Sequence, residues 1–185
     1  MIRQNSGALG KRFIVKKKII IDTDPGQDDA VAILLALASP ELDVMGITCV
    51  AGNVELELTT INACKICELA EKRETIVLAG AAKPFARSLV TAKHVHGKTG
   101  LDGIELPMPK MKISEVHAVE FIIETLRTSK MKEITLCALG PLTNLALAMT
   151  KEPKIKSKID QIVLMGGGFF EGGNITPAAE FNIFV

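Results

Sequence analysis

The sequence predicts an α/β protein with a Rossmann-like open, mainly parallel sheet and helices on both faces, and three observations carry that expectation. Apolar runs with strand chemistry alternate with helically spaced segments from Ile19 to Met165, the pattern of right-handed parallel crossovers. Ile19-Ile20-Ile21 is a continuous apolar run, as a strand buried on both faces requires. Polar and glycine-rich motifs fall where strands give way to helices, the edge at which open parallel sheets bind ligands.

Composition sets the outer bounds. With 185 residues, 48% hydrophobic and 23% charged, the chain suits one core and one domain. Residues 1–18 read as a basic amino-terminal extension without the apolar core of a signal peptide. Residues 19–185 read as a single α/β domain. It stops on the apolar run Phe181 to Val185 and is therefore expected to be incomplete at its carboxyl end. A net charge of +1 and the absence of Trp and Tyr argue against a nucleic-acid partner. No long apolar span suggests a membrane partner. Cys49, Cys64, Cys67 and Cys137 fall inside predicted strands or helices, so a reducing cytoplasm is the expected compartment. Cys64 and Cys67 have the spacing of half a zinc site, but nothing completes it, and small buried hydrophobes are the simpler reading.

The first strand, Ile19 to Ile21, ends in Asp22-Thr23-Asp24-Pro25-Gly26-Gln27-Asp28-Asp29, and Ala30 to Leu37 follows as a buried helix. Four acids in eight residues exceed what packing explains. Pro25 and Gly26 allow a turn that points Asp24, Asp28 and Asp29 toward one point. Converging carboxylates repel, and a hard cation, calcium or magnesium, is their natural neutraliser. The bland alternative is that Asp28 caps the helix and the other acids are solvated.

Ser39-Pro40 stops that helix, and Leu42 to Val50 forms a second strand ending in Ala51-Gly52-Asn53, where Asn53 is a site residue or an ordinary turn former. Glu55 to Lys72 is helical and Thr75 to Ala79 is a third strand. From Gly80 to Lys112 the pattern lapses into a long segment with His94 and His96, which serve as metal ligands, as loop polars or as parts of a lid. Ser114 is placed as the cap of a helix running to about Thr128. Glu133 to Ala138 is a fourth strand, Leu139 to Asn144 turns into a short helix, and Lys158 to Met165 is a fifth strand. Gly166-Gly167-Gly168 lacks the spacing of a dinucleotide fingerprint and suits close approach of backbone to a ligand.

Asp22-Thr23-Asp24-Pro25-Gly26-Gln27-Asp28-Asp29-Ala30 resembles the amino-terminal signature of the inosine-uridine preferring nucleoside hydrolases. Val50 to Asn53, His96 to Leu101, Gly140 to Asn144, Met165 to Gly168 and Asn174 to Asn182 follow in the family's order. The resemblance implies hydrolysis of the N-glycosidic bond of ribonucleosides, in nucleoside catabolism and purine salvage, by a homo-oligomer using a calcium ion. It implies that Asp24, Asp29 and the Leu139 carbonyl hold calcium, and that Asp24 is the base taking a proton from the calcium-bound water. Asp28, Asn53, Met165, Asn174, Glu180 and Asn182 would bind ribose, and His96 would be a catalytic-site residue near the nucleobase. The family's carboxyl-terminal calcium-binding Asp and leaving-group His have no counterpart in these residues. Alternatives are an inactive homologue that binds metal, nucleoside or a partner covering the carboxyl-terminal end, and a magnesium-dependent phosphatase of the haloacid dehalogenase type, which Asp22-Thr23-Asp24 imitates.

Overall fold

The structure, a computed structural model, describes residues 15–103 and 105–185. Most of the basic extension expected at 1–18 therefore lies outside the described residues. Strands β1 (Lys17–Thr23), β2 (Leu42–Cys49), β3 (Val77–Ala79), β4 (Ile134–Ala138) and β5 (Ile159–Leu164) form one sheet in the order β3-β2-β1-β4-β5. Every pairing in it is parallel. The connections are α1 (Gln27–Ala38), α2 (Leu56–Leu69), α3 (Lys93–His96), α4 (Ala118–Thr128) and α5 (Thr143–Lys151), with a last helix α6 (Phe181–Phe184).

The isoleucine run explains how the layers form. Ile19 and Ile21 point to one face, where Ile33 and Ala36 of α1 and Ala63, Cys64, Ile66 and Cys67 of α2 cover them. Ile20 points to the other, against Ile122 and Leu126 of α4 and Leu145 and Ala148 of α5. Alternate residues of one strand thus enter two cores, which is why the run shows no polar interruption. Burial pushes the Cys64 and Cys67 thiols up to about 11 and about 12, so both behave as small core hydrophobes.

Strand order reverses between β1 and β4, the position at which chains leaving neighbouring strands diverge and open a crevice. The acidic turn follows β1 directly, and Leu139-Gly140 follows β4. Leu139 N donates to the Asp22 carbonyl at 2.7 Å, which holds the two strand ends side by side.

One expectation and one alternative reading are corrected by the structure. Ser114 does not cap α4: its N–H donates to the Val77 carbonyl and extends the β3 edge by a single bridge. His117 takes the cap instead, its Nδ1 accepting from Val119 N at 3.2 Å. Asp28 does not cap α1 either. Asp29, three residues after Gly26, accepts the Gly26 N–H through Oδ2 at 3.0 Å. The apolar run Phe181 to Val185 is partly covered, with Ile183 exposed. Phe181 and Asn182 are buried, and Arg87 stacks over the Phe184 ring at 4.7 Å.

Removing buried volume between sheet and helix tests this layering. Ile122→Ala is expected to cost about 2–5 kcal/mol in urea unfolding, because Ile122 is fully buried. Val31→Ala, on the exposed side of α1, is expected to change stability by less than ~0.5 kcal/mol.

Candidate active site

The acidic turn is built by its own hydrogen bonds. Thr23 Oγ1 donates to Asp29 Oδ1 at 2.7 Å, and Gly26 N donates to Asp29 Oδ2 at 3.0 Å. Asp29 therefore closes the turn on itself and sits at the helix N-terminus, where the dipole favours an anion. Asp24 is held from β2: Asn53 N donates to Asp24 Oδ2 at 2.6 Å, and Asn53 Nδ2 donates to the Asp24 carbonyl at 2.9 Å. A side chain at Gly52 or Gly140 would collide with the Asp24 carboxylate. Glycine at both positions lets two backbone segments close on one carboxylate.

Among the described residues these buried carboxylates have no basic partner. Burial pushes Asp24 well above the usual carboxylate range, and the neighbouring Asp29 adds to it. Asp29 is pushed up to about 6, again chiefly by burial. No Lys or Arg is among the groups that set either value. Asp28 is exposed and faces the cavity beside them.

A third carboxyl lies one layer below. Asp22 is fully buried, and desolvation pushes it up to about 7. Its Oδ1 accepts from Thr48 Oγ1 at 2.5 Å and from Asn144 Nδ2 at 2.8 Å, while Oδ2 has no partner among the described residues. Asn144 also donates to the Cys49 carbonyl at 3.0 Å and accepts from Ala81 N at 2.8 Å. One amide thus joins the carboxyl ends of β1 and β2 and the segment after β3.

Asp24, Asp28, Asn53 and His96 line a cavity of about 170 Å³ above the strand ends. Met165, Asn174, Glu180 and Asn182 line its other wall. Asp29 and the Leu139 carbonyl residue meet at an adjoining hollow that shares Asp28 and Met165. The cavity is smaller than the ~300–1,000 Å³ usual for small-molecule sites, so it holds part of a nucleoside-sized ligand. Every site residue expected from the sequence is brought to these two hollows.

Several of them also have a structural task. Asn182 Nδ2 donates to the Leu139 carbonyl at 2.8 Å and to the Met165 carbonyl at 3.0 Å, bridging the ends of β4 and β5. Asn174 Oδ1 accepts from Phe181 N at 2.9 Å. Glu180 Oε2 accepts from Asn182 N at 3.0 Å and from Gly167 N at 3.1 Å. The triple glycine thus meets the Glu180 carboxylate and not the ligand cavity directly. Among the described residues no three His, Cys, Asp or Glu side chains cluster to hold an ion.

Three contributors had no role assigned from sequence: Asn144, Asn62 and Gln27. Asn144 stood inside a quoted motif, so a signal existed. Asn62 and Gln27 act through residues 37 and 75 positions away, and no local pattern announces such contacts.

Fold and geometry define a doubly wound α/β protein with a carboxylate-rich cavity at the topological switch point. The chain matches the inosine-uridine preferring nucleoside hydrolases over residues 19–185 and belongs to that family. It is 55% identical over 168 residues to an uncharacterised Schizosaccharomyces pombe protein, covering 91% of this chain and 54% of that one. It is 48% identical to the pyrimidine-specific ribonucleoside hydrolase RihA of Photobacterium profundum, covering 92% of this chain and 54% of the relative. Among solved structures, a plant nucleoside hydrolase superposes with a TM-score of 0.85 at 42% identity, covering 90% of this chain and 52% of that one. The chain therefore spans about half the length of the curated relatives it matches.

The raised carboxyls carry a pH signature. Asp22 and Asp29 bind protons more tightly folded than unfolded, with folded values of about 7 and about 6 against 3.8. The stability they contribute is present below that ordinary value and is lost as pH rises through the folded values. Asp22→Asn keeps an oxygen for Thr48 and Asn144 but cannot ionise. It is expected to flatten the fall in urea-unfolding stability between about pH 4 and pH 7, and an unchanged slope would contradict the assignment.

Proposed function

We propose that this chain forms the ribose- and metal-binding part of a ribonucleoside hydrolase, which splits the N-glycosidic bond to ribose and free base. The observation that carries the reading is the convergence of Asp28, Asn53, Asn174, Glu180 and Asn182 with the buried Asp24 on one cavity, with the buried Asp29 at the adjoining hollow.

The donor set fits a hard divalent cation. Asp24 and Asp29 offer carboxylate oxygens, and the Leu139 carbonyl keeps a lone pair beyond the one that accepts from Asn182. These supply fewer than the ~6–8 oxygens calcium takes, so substrate hydroxyls and water would complete the set. When bound, calcium supplies a lowered pKa for a coordinated water and fixes that water's position.

The side chains have separable tasks. Asp24 is the base: burial raises its proton affinity above the usual carboxylate range, the direction a general base requires, and Asn53 fixes its rotamer. Asp28, exposed at the cavity, accepts from ribose hydroxyls. Asn182 uses its N–H groups on the Leu139 and Met165 carbonyls and turns an acceptor oxygen to the sugar. Carboxylates and amide oxygens around the ring favour the oxocarbenium-like charge that grows as the base departs. His96 borders the position of the nucleobase.

A second reading keeps nucleoside or metal binding without turnover and adds a partner, either another copy or a different chain. Ile162, Val163 and Leu164 on the outer strand β5 are 41%, 51% and 47% exposed, an apolar surface of the kind found at interfaces. A monodisperse monomer at high concentration would count against it. The four free cysteines favour a reducing cytoplasm as the place of action.

The purified chain is expected to release ribose from uridine or inosine with calcium and to lose that activity with chelator. Asp24→Asn is expected to lower the rate by about 10²–10⁴-fold. Chelator-insensitive release, or magnesium-dependent phosphatase activity in its place, would overturn the reading.

A further inference from the structure

Gln27 sits between the turn glycine and Asp28 and reaches across the cavity rim to the segment that carries His96. Its Nε2 donates to the Asp102 carbonyl at 3.2 Å, and its Oε1 lies 2.5 Å from His96 Nδ1. A backbone carbonyl can only accept, so the amide nitrogen must be the end that faces Asp102. Its oxygen then faces the imidazole, and an amide oxygen also only accepts. The proton between Gln27 and His96 therefore belongs to Nδ1. In the neutral ring this leaves Nε2 as a bare lone pair, and it makes no hydrogen bond among the described residues.

The segment held this way is well ordered around Asp102. The Asp102 carboxylate accepts from Lys98 N at 2.9 Å, Thr99 N at 3.0 Å and Thr99 Oγ1 at 2.5 Å. Those bonds hold its carboxyl below the usual range, the Thr99 hydroxyl contributing most. Asn62 Nδ2 donates to the Thr99 carbonyl at 2.7 Å, and Ala92 N donates to the Asn53 carbonyl at 3.0 Å. The ring also packs on the turn itself: a Cβ at Gly26 would lie 2.7 Å from His96 Nδ1. This stretch is a strap fastened to the acidic turn, and Gln27 is the side chain that grips both His96 and Asp102.

We propose that Gln27 is a positioning residue that locks His96 in the Nδ1–H tautomer, so that neutral His96 offers Nε2 as a hydrogen-bond acceptor and favours nucleobase edges presenting an N–H donor. The ligand half of this inference rests on the nucleoside reading of the cavity; the tautomer half does not. Uracil N3–H is an edge of the favoured kind, and its N3-methyl derivative is not.

The test uses the full chain with ¹⁵N-labelled histidine at about pH 8, where imidazole is neutral, and reads the tautomer by long-range ¹H–¹⁵N correlation. Three histidines are present, and His96→Gln assigns the signal. The expected spectrum has a protonated Nδ1 and a bare Nε2 for His96. Gln27→Leu is expected to shift the ring toward Nε2–H and to speed amide exchange across residues 96–103 by about tenfold or more. Gln27→Glu, which still accepts from Nδ1 but cannot donate to Asp102, is expected to keep the tautomer and lose the exchange protection. A His96 that is Nε2–H in the native chain, or a tautomer unchanged in Gln27→Leu, would overturn the proposal. Uridine is expected to bind about 2–10-fold more tightly than N3-methyluridine, one neutral hydrogen bond's worth, and Gln27→Leu to abolish the preference. Equal binding of the two by the native chain would overturn the ligand half alone. Binding of neither would overturn it together with the nucleoside reading, while the spectrum still decides the tautomer.

Discussion

Two carboxylates buried side by side, with no basic neighbour among the described residues, are the constraint on which the rest of this structure depends. Asp24 and Asp29 are nearly inaccessible to water, and each stands above its ordinary proton affinity chiefly because of burial, with the charge of Asp29 adding at Asp24 and that of Asp28 adding at Asp29. Folding bears that cost only because the surrounding backbone donates to both: Gly26 and Asn53 through N–H groups, and Thr23 through its hydroxyl. A proton or a cation must supply the remaining compensation. The turn that carries these acids is therefore strained electrostatically before any ligand arrives, a state suited to a site whose work is to bind positive charge.

The sheet supplies what a single turn could not. In the order β3-β2-β1-β4-β5, β1 is central and its end meets contributions from both sides. Asn53 arrives from β2, Gly140 and the Leu139 carbonyl from β4, and Met165 from β5. Below them Asp22, Thr48 and Asn144 form a buried polar layer that ties the strand ends into one unit. A low-dielectric setting makes such bonds strong and makes any missing partner costly. Asn182 repeats the device on the far side, joining the Leu139 and Met165 carbonyls. The geometry of the upper layer follows from the rigidity of the lower one.

Much of this was legible in the residues because it is local. The run Ile19-Ile20-Ile21 announces a strand between two cores, and the spacing of Asp24, Asp28 and Asp29 around Pro25-Gly26 announces a turn of convergent acids. The family motifs place Asn53 and Met165 just after strands and Asn174, Glu180 and Asn182 in the segment beyond β5, and the fold brings them to one cavity. What escaped is non-local or degenerate. Ser114 and His117 both suit a helix cap, and only the β3 edge, which takes the Ser114 N–H, decides between them. Asp28 and Asp29 at the head of α1 differ by about 100° of side-chain direction, which separates the exposed acid from the one that closes the turn. Gln27 and Asn62 act across 75 and 37 residues, and their partners lie in a segment whose sequence reads only as a loop.

The account stands or falls on whether Asp24 and Asp29 accept a cation in place of protons. Titration calorimetry of calcium into the purified chain, repeated near pH 6 in two buffers of different ionisation enthalpy, measures both binding and the protons it displaces. One ion per chain with net proton release, lost in Asp24→Asn, is the predicted result. Heat that is absent, or binding that releases no protons and survives Asp24→Asn, would contradict it.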